Sequence, residues 1–447
     1  MGKDHPLRQL VRTNGGSALA YLRRLDEHHQ RLGFGPIALD KKRVYRWISG
    51  QYDPELRAQL AMAAMHGIPE DLVHAHPWPA WLTHRPSDDR TYLATLWSPE
   101  QTDSALSHLA GGPMDRREFL IVSALGAVTA QWKTAPSATG AILRAGPRIN
   151  AAVPSLHQDR LEALRLMDDH VGSDQVYRYA HQELAWITRT LTHSSCTESV
   201  RRQLYAAAAE ASRICGWTAY DSGKHAAAER HYIAALKAAA SADDKTLGAN
   251  TLAFWAIQRY STGDPRGAVH LVEAALEAAP AIGSPRLTAM LHARLGRAHA
   301  KTGDRTASER SAGAAFESYD NIEPGSREPA CVYWVNRGEL HQLAGSSALD
   351  LDRPHQALGH FTAPETAHEA YDEAAFPRGA AIYLSRESQA HFALGDIDGA
   401  LDSAHRAVAS MGGVTSARGT DTLAGLRDQL SERSDERSVQ EFLASTG

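Results

Sequence analysis

The sequence predicts an all-α protein, and three observations predict it. Alanine, the best helix former, dominates stretches such as Tyr205–Glu210 and Ala234–Ala240. No segment of useful length alternates apolar and polar residues as a half-buried strand would. The same turn is written three times, as Gly263-Asp264, Gly303-Asp304 and Gly395-Asp396, which points to a repeated helix pair. With 447 residues, 43% hydrophobic and 22% charged, the chain should hold two or three ordinary globular domains. The expected division is a helical head at 1–75, a connector with short helices at 76–155, a repeat array at 156–430 and a charged tail with a frayed helix end at 431–447.

Charge is unevenly spread. Residues 1–50 carry ten Lys/Arg against four acids, so +6 sits in the head and −11 in the rest of a chain whose net charge is −5. A basic head on an acidic body is expected where only the head meets phosphate. In the head, Ser17 starts a run in which Leu19, Leu22 and Leu25 recur at helical spacing, with Arg23, Arg24 and Glu27 opposite. Gly33-Phe34-Gly35-Pro36 ends it. Asp40 then offers an N-cap to a second helix, Lys41 to Ile48, closed by Ser49-Gly50. Val44, Trp47 and Ile48 share the face that docks on a core. Lys41, Lys42, Tyr45 and Arg46 point away together, and with Arg43 they suit a helix laid in a major groove.

The segment Val44–Pro54 (VYRWISGQYDP), followed by Leu60–Pro69 (LAMAAMHGIP), resembles the Cro/repressor-type (XRE) helix-turn-helix family. The whole arrangement is similar to actinobacterial regulators in which such a domain precedes tetratricopeptide repeats. The resemblance covers residues 5–75, and the repeats carry it to about 411. It implies an N-terminal helix-turn-helix domain, a tetratricopeptide-like α-solenoid behind it, and binding to double-stranded DNA. One departure is the long connection Gly33–Leu39 where the family has a tight turn, which leaves the angle between its flanking helices open.

Pro77, Pro79, Pro86 and Pro99, with Trp78, Trp81 and Trp97 among them, mark a connector whose tryptophans should pack on neighbours. Met114–Leu120 (MDRREFL), followed by the apolar run Leu120–Ala130, looks like a twin-arginine export signal. More than a hundred residues precede it, and the uncharged stretch Phe119–Trp132 is short of the roughly 20 residues a bilayer requires. A buried helix is the expected reading, with export from a start at Met114 as the alternative. Cys196, Cys215 and Cys331 have no metal-ligand or disulfide spacing; they fit a reduced compartment and should pack as small apolar residues.

In the array, Gly223 and Gly345 are taken to fill the slots beside the three Gly-Asp turns. Seven residues before these glycines stand Gly216, Ala256, Gly296, Gly338 and Ser388, all small, where helices of a pair cross closely. Five after stand Ala228, Ala268, Ser308 and Ala400; nine after stand Tyr232, Val272, Ala312 and Ala404; twelve after stand Ala235, Ala275, Ala315 and Ala407. This resembles the tetratricopeptide pattern, with a step longer than the usual repeat of about 34 residues. Ser346–Pro364 departs from it, so an insertion or broken helix is expected there. First helices of such pairs line a concave side. On them, Trp217, Arg297, Glu339 and Gln389, six before the glycines, and Asn250, thirteen before, are the candidate ligand-binding residues. No Lys/Asn clamp for a terminal carboxylate stands out. His299, His341 and His391 lie in separate repeats, so a shared metal ion is not expected.

No GxxxxGK[ST], GxGxxG, GxSxG or HExxH motif occurs, and no α/β catalytic scaffold is expected. The sequence therefore predicts a cytoplasmic, non-enzymatic transcription regulator without cofactor, metal or membrane association. Lys41, Lys42, Arg43, Tyr45, Arg46, Arg23 and Arg24 are the expected DNA-binding residues. A two-fold DNA site requires two heads, so a homodimer is expected. The repeats would mediate dimerisation and sense a peptide, small molecule or protein partner. The alternative is a protein-interaction scaffold without specific DNA binding.

Overall fold

The computed structural model describes residues 7, 11, 17–65, 73–74, 77–82, 97–111, 125–140, 146–363, 370–411 and 416–446. These residues form nineteen α-helices and two short 3-10 turns, with a single isolated bridge between Arg148 and Ser195 and no strand. None of these helices is long and apolar enough to cross a membrane. The chain divides into two compact units, Met1–Thr95 and Leu96–Gly447, so the division falls inside the expected connector. Trp81 and Leu82 complete the core of the first unit, whereas Trp97 and the helix after it belong to the second.

The first unit holds α1 (Ala18–Arg31), α2 (Lys41–Ser49) and α3 (Leu56–Met65). Ser17 Oγ accepts the amide N–H of Ala20 and sets the phase of α1. The buried stripe becomes Ala18, Tyr21, Leu22, Leu25 and His29, which corrects the expectation for Leu19: it lies outside the stripe and is 38% exposed. The long connection to α2 is tied down by polar bonds. Asp26 Oδ1 accepts the N–H of Ile37 at 2.7 Å, and His29 Nδ1 meets the carbonyl of Gly35 at 2.7 Å. Gly33 and Gly35 both adopt left-handed backbone, which glycine does at little cost.

The second unit opens with α4 (Pro99–Gly111), α5 (Leu125–Thr134), α6 (Ala152–Val171) and α7 (Ser173–His193). The MDRREFL segment lies outside the described residues. The end of the apolar run after it is α5, which buries Leu125, Val128, Thr129 and Trp132. Five helix pairs follow: α8 (Glu198–Asp221) with α9 (His225–Ala242), α10 (Lys245–Ser261) with α11 (Pro265–Ile282), α12 (Pro285–Thr302) with α13 (Arg305–Asp320), α14 (Arg337–Asp350) with α15 (Pro354–Phe361), and α16 (Pro377–Ala393) with α17 (Ile397–Ser410). The expected caps form: Asp264, Asp304 and Asp396 each accept the amide three residues on.

The turns within the five pairs share one hydrogen bond. The N–H after the left-handed residue reaches back to a carbonyl five residues earlier, at Lys224, Asp264, Asp304, Arg353 and Asp396. The left-handed residues are Gly223, Gly263, Gly303, Asp352 and Gly395. Gly345 is therefore not the fourth turn; it lies inside α14. An aspartate takes the left-handed position there, as Asp does more readily than most residues. Seven residues before Asp352 is Gly345 itself, and nine after it is Phe361. A Cβ on Gly345 would lie 2.7 Å from the Phe361 ring, just as one on Gly216 would lie 2.8 Å from Tyr232. Ser346–Ala363 is accordingly a continued helix, a turn and a short helix. The irregular insertion is Asn321–Asn336, with only the 3-10 turn Ala330–Val332 in it.

Two glycines make this packing testable. Gly216→Ala should overpack against Tyr232, which is wholly buried, costing about 1–3 kcal/mol against the ~1 kcal/mol gained in helix propensity. Gly313→Ala, exposed on α13 with nothing near its Cβ, should instead stabilise by roughly 0.5–1 kcal/mol. Urea unfolding of the two variants should therefore move in opposite directions; a Gly216→Ala variant as stable as Gly313→Ala would refute the close crossing.

The last helices are α18 (Ala417–Ser431) and α19 (Arg437–Ser445). The charged tail is thus mostly a packed helix: Val439 and Phe442 are buried with Leu401, Leu426 and Leu430. The unit also closes on itself. Arg378 at the start of α16 donates to Asp168 on α6, 210 positions earlier, at 2.6 Å. Ser416, which caps α18, donates to Asp221 at the end of α8.

Candidate functional site

Two surfaces collect the residues singled out by sequence. The first is α2. Val44 and Trp47 are fully buried and Ile48 nearly so, while Lys41, Lys42, Tyr45 and Arg46 are exposed, Tyr45 by 60%. Spacings of three and four put these four on one helical face. Arg43 is different: it is half-buried and lies 5.4 Å over the Trp47 ring. On α1, Arg23 is exposed and Arg24 half-buried. The first turn of α2 holds no acid, only Lys41, Lys42 and Arg43. Cations there oppose the positive end of the helix dipole, at roughly 0.3–1 kcal/mol each. A helix that carries them at its start has sacrificed some stability for a positive face.

The second surface lies inside the helix-pair unit. A cavity of about 140 Å3 is lined from α6 (Arg165, Asp168), α8 (Arg213, Ile214, Trp217), α10 (Phe254), α12 (Arg294), the insertion (Cys331, Tyr333, Trp334), α14 (Glu339), α16 (Arg378, Gly379, Tyr383), the segment before it (Tyr371, Phe376) and α18 (Arg418). A second cavity, about 400 Å3, shares Arg294, Arg418, Tyr383 and Gly379 with the first and adds Arg297, Lys301, Arg386 and Asp421. The insertion thus has a structural role that sequence did not assign: it supplies an aromatic wall.

Of the five candidate ligand residues, Trp217 and Glu339 meet in the smaller cavity, and Arg297 lines the larger. Asn250 and Gln389 line neither. Asn250 is buried, and neither of its amide atoms has a hydrogen-bond partner among the described residues. Counted from Asp352, Glu339 belongs with Asn250 thirteen residues before a turn, not with Trp217. The slot that sequence missed is nine before each turn, one helical turn from Trp217: Ile214, Phe254, Arg294, Leu343 and Arg386. All five line one cavity or the other. The absence of a Lys/Asn clamp gave no hint of this arginine-rich interior.

The cavity walls are held by ion pairs. Asp168 accepts from Arg378, from the Trp217 indole N–H at 2.7 Å and from Ser173. Burial alone would raise its pKa, but the charge and hydrogen bonds of Arg378, with Trp217 and Ser173, hold it below the usual carboxylate range. Glu210 likewise stays low despite burial, because Arg213 and Arg165 flank it. Asp350 gathers Arg297 at 2.5 Å, Lys301 at 2.8 Å and Arg386 at 3.7 Å. Glu339 accepts from the Tyr383 hydroxyl at 2.7 Å. The Cys331 thiol is pushed up to about 12 by burial, so it stands protonated at neutral pH. Cys196 and Cys215 are buried and free as well.

His341 and His391 have separate partners. His391 pairs with Asp396 at 2.7 Å, and His341 faces His360 at 3.2 Å. Around the internal space guanidinium groups lie over aromatic rings, Arg378 and Arg418 over Trp217, Arg213 over Phe254 and Arg294 over Trp334. No family model matches the chain, and no curated protein matches it.

Proposed function

We propose that this protein is a cytoplasmic regulator of transcription that reads a specific double-stranded DNA site with α2 and senses a ligand in its helix-pair unit. In this reading the head is a helix-turn-helix of the Cro/repressor (XRE) type and the helix pairs are tetratricopeptide-like. One observation carries it. The exposed face of α2 bears Lys41, Lys42, Tyr45 and Arg46 on a helix anchored by a wholly buried Trp47. A rigid short helix with cations at its start and an amphipathic aromatic beyond them matches what a major groove accepts. Arg43 then acts by bracing Trp47, and Arg23 and Arg24 serve the phosphate backbone. A homodimer presents two such helices, and a ligand shifts the protein only by binding one arrangement of the heads more tightly than another.

The test is selection of genomic DNA fragments by the purified full-length protein. Enrichment of a two-fold symmetric site, with half-sites separated by about 10–10.5 base pairs or a multiple, is the expected result. Co-purification of a protein partner with no DNA enrichment would overturn it in favour of an interaction scaffold.

A further inference from the structure

The two cavities share four lining residues, Arg294, Gly379, Tyr383 and Arg418, and their walls differ in chemistry. The acids of the smaller cavity are already occupied: Asp168 accepts from Arg378, Trp217 and Ser173, and Glu339 accepts from Tyr383. Spare capacity belongs to donors. Arg294 is 9% exposed, and its Nε reaches no acceptor among the described residues. Arg418, 27% exposed, meets Asp221 through Nε at 3.4 Å as an ion pair without an aligned hydrogen bond, and Asp221 also accepts from Ser416. For Arg294, a buried guanidinium with an unused N–H, that is costly unless something supplies an acceptor. These two arginines are the cations common to both cavities.

Beside them stands a box of rings. Phe254 meets the Trp217 ring edge-on at 5.1 Å and the Trp334 ring at 6.4 Å. Arg418 lies 4.7 Å over Trp217, and Arg294 lies 5.3 Å over Trp334. On the far side of the two arginines, the larger cavity is lined by five cations, Arg294, Arg297, Lys301, Arg386 and Arg418, against one lining acid, Asp421. Asp350 behind the wall answers Arg297, Lys301 and Arg386 with a single charge.

We propose that the cavities bind a small anion with an aromatic body: the ring enters among Trp217, Phe254 and Trp334, and a phosphate or carboxylate is held by Arg294 and Arg418. The proposal rests on the helix-pair unit being the sensing part, and it requires nothing of DNA binding. Arginine suits the anionic end because its planar fork donates two hydrogen bonds to one oxyanion. The aromatic faces serve the ring by stacking and edge contacts. Tyr383 and Glu339, already bonded to each other, orient the wall between the two chambers.

Isothermal calorimetry on the full-length protein without DNA tests this with three probes: 1-naphthyl phosphate, 1-naphthol and inorganic phosphate. The aromatic phosphate should bind at least about tenfold more tightly than either half, because it alone engages both chambers. Arg294→Gln and Arg418→Gln should each weaken it by about tenfold or more while leaving the naphthol affinity nearly unchanged. Arg418 is partly exposed, so its variant carries the test if Arg294→Gln fails to fold. Equal binding of naphthol and naphthyl phosphate, binding that neither variant weakens, or no heat with any probe would overturn the proposal. Such a result in a protein that still selects a DNA site would leave the regulatory reading standing.

Discussion

Replacing Lys41, Lys42 and Arg46 together by alanine should reduce affinity for the selected DNA site by at least about 100-fold. All three side chains are exposed on one face of α2. Each cation held at a phosphate releases about 0.9 counterion, so the slope of log affinity against log salt should fall by about three. Arg43 is left in place because it lies over Trp47, and its loss would mix binding with folding. Stability should barely change, and could rise by a few tenths of a kcal/mol, since two of the removed charges oppose the helix dipole. The measurement is fluorescence anisotropy with the selected site at several salt concentrations, beside thermal unfolding. Affinity retained at moderate salt with an unchanged slope would remove α2 from the interface.

Arg378→Met should cost the second unit about 3–5 kcal/mol, the usual penalty for leaving a buried charge without its partner. The charges left behind are Asp168 and Asp221, both buried, with Asp221 at 0% exposure. Methionine fills much of the space, so the loss reflects charge more than volume. The sign of the pH dependence follows from Asp168, whose pKa burial would raise but Arg378 depresses overall. A depressed folded-state pKa contributes stability that is fully present above the ordinary carboxylate value of about 4 and is lost as pH falls through the folded value. The gap between wild type and variant should therefore be widest near neutrality and narrow below about pH 4. Urea unfolding at both pH values checks it; a gap under about 1 kcal/mol at neutral pH would mean that water reaches these carboxylates.

What was legible in the chain was what local rules determine. Asp40, Gly50 and the spacing of Val44, Trp47 and Ile48 mark α2 from cap to cap, and the structure forms it between those residues. The Gly-Asp turns were readable for the same reason, since a left-handed residue and an N-cap leave signatures in adjacent positions. The fourth turn was hidden because Asp352 does there what glycine does elsewhere. Gly345 is a glycine for another cause, the approach of Phe361. Leu19 fits the leucine spacing, but the core takes Tyr21 with Leu22 and Leu25 and leaves Leu19 exposed. The lining of the two cavities is half visible in the sequence: Trp217, Arg297 and Glu339 lie on readable helix faces. The pairing of Arg378 with Asp168 across 210 positions is set by tertiary closure, and no periodicity announces it.

That closure alters how the unit comes apart. An open stack of helix pairs unravels from its ends, because each pair is held only by its neighbours and the terminal pair has just one. Here Arg378 joins α16 to α6, and Ser416 with Arg418 joins the start of α18 to the end of α8. No pair among those between them is terminal, so none can leave at the low cost of fraying. Opening anywhere in that span must either break the buried ionic seam or strain it, which turns a sequence of small steps into one cooperative loss.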